Sequence, residues 1–281
     1  MVNDSLRFTR LLIELLLCLL FSVILMSCYS AAKIYDEFSA KSSEIETVVL
    51  VHEAQIFNDI QGKRHFIHIQ DNVRSLEWIH SSVKQIVKRK GYSVSDQSLW
   101  SIGLSEKPNT PLLVFTESED EWPSFFADEK LFLKPTPIAV RSFGFEDHSI
   151  STLGALHRHL YMESESITDI KGTYYSSYIR ELSLPENSVM LLTQSVGNRI
   201  YTGKNITIFM IGTLAALAGA PPENVSWEQD TTSHFLFILH SATGELLWAD
   251  YLEEVGGNRS ASALENGLEK LFSELPDRAS Q

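Results

Sequence analysis

The sequence contains only two cysteines, Cys18 and Cys28, and both lie near its amino terminus. The long remainder of the chain therefore has no thiol for a disulfide framework or for a cysteine-based zinc site. Its stability must come from an ordinary hydrophobic core, which a chain of this length is able to bury.

Basic residues are scarce relative to acidic ones. The chain has 23 Lys and Arg against 36 Asp and Glu, which gives a formal net charge of −13 at pH 7. An acidic protein repels phosphate backbones and anionic lipid head groups. The composition therefore argues against nucleic-acid binding and against electrostatic docking to a membrane.

The sequence motifs of common enzymes are also missing. We find no Gly-x-Ser-x-Gly elbow, no phosphate loop ending in Gly-Lys-Ser/Thr, no Gly-x-Gly-x-x-Gly and no His-Glu-x-x-His. The acidic stretch 117–121 lacks the Asp-x-Asp-x-Asp-Gly order of a calcium loop. We therefore expect a protein that is not an enzyme and that uses neither a cofactor nor a metal.

Histidine pairs are the remaining sequence feature that could suggest a metal site. The pairs are His157 with His159, His65 with His68, and His234 with His240. Residues two apart on a helix point in different directions, so the first pair could share a metal only in an extended segment. No carboxylate or cysteine accompanies the other pairs at ligand spacing. We interpret the first pair as solvated and the other four histidines as residues on the face or at the edge of a sheet.

An apolar segment opens the chain. Basic residues precede the run 11–26, which Glu14 interrupts, and the small Ser27 stands immediately before Cys28. A basic start, an apolar stretch and a small residue at the cleavage site are the three parts of an export signal. The pattern predicts a signal peptide over residues 1–27, cleaved between Ser27 and Cys28.

The sequence Leu25-Met26-Ser27-Cys28 resembles the cleavage region of bacterial lipoprotein signals. In those proteins the cysteine thiol takes up a diacylglycerol, and a branched apolar residue three places earlier fits the peptidase. The resemblance implies a mature protein that begins at Cys28 and is held in the membrane by its acyl chains. It also implies the periplasmic face of the bacterial outer membrane, with the inner membrane as the alternative.

An uncleaved transmembrane anchor is the competing interpretation of the same segment. Residues 11–28 number 18, at the short end of the roughly 17–25 residues that span a bilayer. Glu14 lies near one end, where its carboxylate could reach the interface. A buried helix of a soluble protein is a third interpretation.

The remaining sequence alternates between strand and helix patterns. We predict a tether over 28–46, one domain over 47–275 and a tail over 276–281. Within the domain, strands are predicted at 48–57, 65–69, 112–115, 135–140 and 189–193, and helices from Asp71 or Asn72 to Gly91 and around 174–182. This alternation predicts an α/β fold, a single layered domain in which a mixed β-sheet packs with helices.

The clearest local pattern is a β-hairpin near the carboxyl end. Strands at 234–239 and 246–251 flank a turn in which Gly244 can take a positive φ. Both faces of the first strand are apolar, which predicts that it is central in the sheet. Asn258 is then predicted to cap a last helix. The inward stripe of that helix comprises Ala261, Leu264, Leu268, Leu271 and Leu275.

The turn of this hairpin resembles a motif of bacterial envelope lipoproteins, Asp-Ala-x-Thr-Gly-Glu-(Val/Leu)-Leu-Trp. Thr243, Gly244, Glu245 and Trp248 match it, while position 241 has Ser in place of Asp. The motif occurs in curli-secretion lipoproteins, in lipoprotein activators of penicillin-binding proteins and in the amino-terminal domain of the Tol-Pal β-propeller protein. The resemblance implies a small α/β sandwich that binds other envelope proteins within a secretion, transport or peptidoglycan-synthesis assembly. It leaves the oligomeric state open.

Two alternatives concern other parts of the chain. The apolar stretch 206–220 has 15 residues, too few to span a bilayer, and is predicted as a buried helix or as an exposed interaction surface. The competing function is an envelope hydrolase that uses Glu146, Asp147, His157 and His159. That function requires the four side chains to converge in one cleft.

Overall fold

The computed structural model describes residues 33–34, 38, 41–60, 64–115, 131–163, 175–200, 231–255 and 260–278. They form one mixed sheet of ten strands with four helices packed against it. This arrangement confirms the predicted α/β fold. The predicted cleavage site at Ser27 and Cys28 and the stretch 206–220 lie outside the described residues.

The elements follow one another in a mixed order. The strands are β1 (Lys33–Ile34), β2 (Thr47–Ile60), β3 (Arg64–His68), β4 (Ser93–Ile102), β5 (Pro111–Phe115), β6 (Phe132–Pro135), β7 (Ala139–Phe143), β8 (Ser188–Ile200), β9 (Thr231–His240) and β10 (Leu246–Val255). The helices are α1 (Ile69–Arg89), α2 (Asp147–Glu163), α3 (Ser176–Arg180) and α4 (Ala261–Leu271).

Strand β2 is the centre of the sheet. It pairs in parallel with β4 and with β8, and its end, residues 57–60, pairs antiparallel with β3. From β8 the sheet continues antiparallel through β9 and β10 to β1. On the other side β7 pairs with β4, and β3 leads on to β5 and β6. Strand β9 is therefore interior, as its apolar faces predicted.

The sheet buries both of its faces. Alternate residues of β2 point to opposite sides, so Val48 and Leu50 lie in one core and Val49 and Val51 in the other. Helices α1 and α4 cover the first core, and α2 and α3 cover the second. We call these two sides the α1/α4 face and the α2/α3 face. Burial on both sides explains the continuous apolar run that predicted this strand.

Helix α1 matches the predicted apolar spacing but begins slightly earlier. Its cap is His68, whose Nδ1 accepts a hydrogen bond from the backbone N–H of Asp71 at 3.2 Å. Asn72 is hydrogen-bonded to the sheet instead. Its Oδ1 accepts from the N–H of Ile56 at 2.8 Å, and its Nδ2 donates to the carbonyl of Ile56 at 3.0 Å. Sequence spacing alone gives no sign of this long-range contact.

The last helix corrects two predictions. Its cap is Ser260 rather than Asn258, because the Ser260 Oγ accepts a hydrogen bond from the N–H of Ala263 at 3.2 Å. Ala261 is exposed, so the buried stripe begins at Leu264. The leucines of the predicted stripe are buried, although Leu275 lies beyond the helix end.

The predicted strand at 135–140 is wrong. Strand β6 ends at Pro135 on one branch of the sheet, and β7 begins at Ala139 on another. Pro137 lies between them, and proline has no N–H to donate to a ladder. Strand β4 and helix α2 were not predicted, although Leu153, Leu156 and Leu160 of α2 do recur at helical spacing and are buried.

The described part of the predicted tether belongs to the folded unit. Strand β1 pairs with β10, and Phe38 and Ile45 are buried in the core under α1 and α4. At the other end of the chain, the N–H of Arg278, in the predicted tail, donates to the carbonyl of Lys90 at 2.8 Å. The packed unit therefore extends beyond the predicted limits of 47 and 275.

Candidate functional site

The β9–β10 hairpin contains the residues that resemble the envelope lipoprotein motif. Gly244 has a φ of +71°, and its carbonyl accepts a hydrogen bond from the N–H of Tyr175 at 2.6 Å. A Cβ at this position would lie 2.4 Å from the backbone nitrogen of Ser176. The turn therefore requires glycine both for its backbone conformation and for its close approach to α3.

Two other motif residues, Glu245 and Trp248, hold the segment that precedes β2. The buried Glu245 carboxylate pairs with the Lys41 ammonium, and the N–H of Glu245 donates to the Thr243 hydroxyl at 3.3 Å. The fully buried Trp248 ring meets Phe38 edge to face, with ring centroids 5.8 Å apart. These contacts assign the motif a structural role at the entry of the domain.

The four residues of the predicted hydrolase site do not converge. Glu146 and Asp147 are exposed at the start of α2, where Glu146 lies 3.2 Å from His148. His157 is ten residues further along, a helical rise of about 15 Å, and it faces the sheet. His159 is exposed and contacts the rings of Tyr175 and Tyr178. The structure therefore does not assemble these side chains into one cleft.

The interpretation of His157 as solvated is wrong. Its side chain is 2 % exposed, and its Nδ1 lies 3.2 Å from Glu53 Oε2. Helix α2 packs on the sheet through Leu153, Leu156 and Leu160, and His157 follows Leu156 on the same side. The sequence did not indicate this partner because Glu53 is more than a hundred residues away, in β2.

Glu53 is the centre of a polar group buried on the α2/α3 face. Its Oε1 accepts hydrogen bonds from the backbone N–H and from the hydroxyl of Ser105, both at 2.9 Å. The Gln194 amide donates to the same hydroxyl at 2.9 Å. Glu53 and Gln194 are opposite each other in the pairing of β2 with β8. We call Glu53, Ser105, His157 and Gln194 the Glu53 cluster.

The order of groups in the Glu53 cluster differs from that of a catalytic triad. In a triad the imidazole stands between the hydroxyl and the carboxylate, so that it can take the hydroxyl proton. Here the carboxylate stands between Ser105 and His157. The Ser105 hydroxyl donates to Glu53, and His157 has no contact with it that would activate a nucleophile. The cluster is suited to stabilising a buried carboxylate.

A second set of polar contacts adjoins the Glu53 cluster. The Gln55 amide donates to the Glu106 carboxylate at 2.6 Å, and the Arg158 guanidinium donates to the Glu106 carbonyl at 2.5 Å. Gln55 lies two residues after Glu53 on the same side of β2, and Arg158 follows His157 on α2. These bonds attach α2 and the segment after β4 to the central strand.

Histidines occupy the opposite side of the same strands. On the α1/α4 face, His52 Nδ1 lies 2.7 Å from the Thr193 hydroxyl, and the His52 ring meets His80 edge to face. His80 Nδ1 accepts a hydrogen bond from the Trp100 indole at 3.2 Å. Burial lowers the pKa of His52 well below its usual value, and the neighbouring imidazoles of His80 and His157 lower it further.

His234 forms a similar pair one strand away. Its Nδ1 lies 2.8 Å from the Ser195 hydroxyl, and the two residues are opposite each other in the pairing of β8 with β9. Burial lowers the pKa of His234 to about 4. His234 lies on a sheet face, as predicted. His240 lies at the hairpin turn, where burial and the charge of Lys41 lower its pKa.

The sequence contained a signal for these buried polar groups, but it differs from the ligand spacing by which metal sites are recognised. Four apolar residues of β2 are followed directly by His52 and Glu53, and four of β8 by Thr193 and Gln194. A charged residue that continues a strand buried on both faces requires a partner in the interior. The signal indicates a buried polar group without identifying its partners.

The described residues contain no group of three or more His, Cys, Asp or Glu side chains that could hold a metal ion. In the same part of the chain, no helix is both long enough and apolar enough to cross a membrane. Comparison of the whole chain with protein-family models, with curated proteins and with solved structures finds no match.

Proposed function

We propose that this protein is a non-enzymatic accessory component of a bacterial envelope assembly. Acyl chains on Cys28 hold it in the outer membrane, facing the periplasm, and it binds other envelope proteins. The sequence Leu25-Met26-Ser27-Cys28 at the end of the apolar leader supports the anchor. The assembly serves secretion, transport or peptidoglycan synthesis, the functions of the lipoproteins that the hairpin resembles.

One observation carries the proposal. The hairpin residues that resemble the envelope lipoproteins contact the chain segment that follows Cys28, through Glu245 with Lys41 and Trp248 with Phe38. A lipid on Cys28 would therefore be connected to the central sheet through these contacts. The lipidation sequence and the hairpin motif support each other, because they act on the same segment.

The burial of the acid and base groups favours binding over catalysis. Glu53, His52 and His234 are each at most 1 % exposed, and each has a polar neighbour within hydrogen-bond distance. A general acid or base must reach the substrate within a hydrogen-bond distance. Side chains enclosed between the sheet and its helices stabilise the fold and leave recognition to the exposed surface.

Mass spectrometry of the protein extracted from bacterial membranes tests the anchor. We expect the wild-type protein to lack residues 1–27 and to carry a diacylglycerol adduct on Cys28. The Cys28→Ser variant should lose both the adduct and the membrane association. Cys18→Ser is the matched control, and its mature mass should equal that of the wild type because residue 18 leaves with the signal.

Two results would contradict the proposal. An intact Met1 in the wild type would favour the uncleaved transmembrane anchor. Identical mass and fractionation of the wild type and Cys28→Ser would exclude lipidation. The non-enzymatic role is tested separately by incubating the purified protein with peptidoglycan, since release of soluble fragments that is abolished in His159→Ala would favour the envelope hydrolase.

A further inference from the structure

We infer that the segment after Cys28 is a clamp that holds the domain at the membrane surface, within reach of envelope proteins that lie in or on that membrane. The inference rests on the proposed lipidation of Cys28. The clamp consists of β1, Phe38 and residues 41–46. A flexible tether of the predicted length would allow a much longer reach.

The first contact of the clamp is a backbone pairing. Strand β1 runs antiparallel to β10, with Lys33 opposite Ala249 and Ile34 opposite Trp248. Antiparallel pairing consumes backbone hydrogen-bonding groups on the edge of β10, which would otherwise be open to other chains. The chain is thus joined to the sheet five residues after Cys28.

Side chains fasten the clamp further along. Phe38 is 2 % exposed and packs against Trp248, and Ile45 lies in the same core. The Lys41 ammonium pairs with the buried Glu245 carboxylate. Apolar burial and a charge pair therefore fix two points of the segment to the hairpin.

Backbone bonds at the end of the clamp fix its exit into β2. The N–H of Glu46 donates to the carbonyl of Asn187 at 2.9 Å, and the carbonyl of Glu46 accepts from the N–H of Ser93 at 3.1 Å. The segment is therefore bonded to the starts of both strands that flank β2. Such a segment moves with the domain.

The reach of the domain follows from chain geometry. Five residues from Cys28 to Lys33 span at most about 17 Å when fully extended. Eighteen residues, the span from Cys28 to Glu46, would reach about 60 Å. The clamp therefore confines the domain to the layer next to the bilayer, with the β1–β10 edge nearer the lipid than the β7 edge. The clamp therefore places the domain beside integral and membrane-bound envelope proteins.

Cross-linking in the full-length, membrane-bound protein tests the pairing of β1 with β10 and does not depend on the distance of the domain from the membrane. Paired residues of antiparallel strands have Cα atoms about 4.5–5.5 Å apart, within the range of a disulfide. We expect Lys33→Cys with Ala249→Cys to form a disulfide under mild oxidation. Lys33→Cys with Arg141→Cys, at the opposite edge of the sheet, is the matched control and should not. Equal behaviour of the two pairs in folded protein would overturn the clamp.

Energy transfer to labelled lipids in proteoliposomes tests the distance between each edge of the sheet and the bilayer. A donor on Glu253→Cys in β10 should transfer more strongly than one on Arg141→Cys in β7, since five strand spacings of about 4.8 Å separate these strands. Inserting twenty Gly and Ser residues after position 30 should lower both signals and abolish the difference. Signals unchanged by the insertion would overturn the inference. Loss of lipidation would show instead as a missing adduct and would leave the cross-linking result unaffected.

Discussion

The two faces of the central sheet bury different polar groups: imidazole–hydroxyl pairs on one face and a carboxylate on the other. On the α1/α4 face, imidazoles pair with hydroxyls, as His52 does with Thr193 and His234 with Ser195. On the α2/α3 face, the Glu53 carboxylate is held by Ser105 and lies beside His157. His52 and Glu53 are consecutive in β2, so the alternation of the strand separates the two kinds of site.

This difference follows from what each group requires in an apolar interior. Each of the two imidazoles has one hydroxyl partner at Nδ1, and burial favours the neutral imidazole by lowering its pKa. A carboxylate requires several donors to offset the loss of water. We therefore expect acid to act mainly on the α1/α4 face and truncation to be most damaging on the α2/α3 face.

Removal of the central carboxylate should have the largest effect. Glu53→Ala leaves the Ser105 donors and His157 without their acceptor, at a cost of about 4 kcal/mol in the free energy of unfolding. Urea unfolding followed by circular dichroism measures this. Glu146→Ala, which removes an exposed carboxylate beside His148, is the control and should change little. A small loss in Glu53→Ala would show that the Glu53 cluster does not stabilise the fold.

Acid should destabilise the protein through the other face. The pKa of His234 is about 4 in the folded state, against about 6.5 when unfolded. Between these values the unfolded chain binds the extra proton, so stability is full above pH 6.5 and falls as the pH drops toward 4. The loss is about 3 kcal/mol at pH 4, and His52 adds to it in the same direction.

The variant His234→Asn tests this pH dependence. Because it has no titrating group at this position, the slope of unfolding free energy against pH from 6.5 to 4 should become shallower than in the wild type. His148→Asn, which alters an exposed histidine, should retain the wild-type slope. An unchanged slope in His234→Asn would contradict the assignment of acid sensitivity to the α1/α4 face.

Two glycines with the same backbone conformation, Gly244 and Gly144, test the close contact between the hairpin turn and α3. Gly244 and Gly144 have nearly equal φ values of +71° and +72°, so alanine strains both backbones by about 1 kcal/mol. Only at Gly244 would the new Cβ collide with backbone, at 2.4 Å from the nitrogen of Ser176, whereas the nearest atom at Gly144 is 3.4 Å away. We expect Gly244→Ala to cost about 2 kcal/mol more than Gly144→Ala in thermal or urea unfolding. Equal losses of stability in the two variants would mean that α3 can shift away from the new Cβ at little cost in free energy.

The smallest predicted effect concerns the cap of α4 on the α1/α4 face. Ser260→Ala removes the acceptor for the N–H of Ala263 and should cost about 1 kcal/mol. Asn258→Ala is the comparison, because the sequence pattern placed the cap there. If the loss appeared in Asn258→Ala instead, the helix would begin two residues earlier than observed.

Local patterns predicted the elements whose determinants are close together in the chain. The apolar run of β2, the spacing in α1 and the turn at Gly244 were all recognisable, and the structure contains each of them. Strand β4 was missed because its first half is largely polar and contains no buried residue. The Glu53 cluster was missed because its four members come from β2, the loop after β4, α2 and β8.

The sequence by itself determined the α/β class and the hairpin, because alternation, helical periodicity and glycine turns are read over a few neighbouring residues. Its leader also contains the whole signal from which export and lipidation at Cys28 are proposed. Only the tertiary structure decided that Glu53 meets His157 and that Phe38 and Lys41 belong to the domain. Those contacts join residues far apart in the chain, and the sheet register that brings them together is a property of the assembled core.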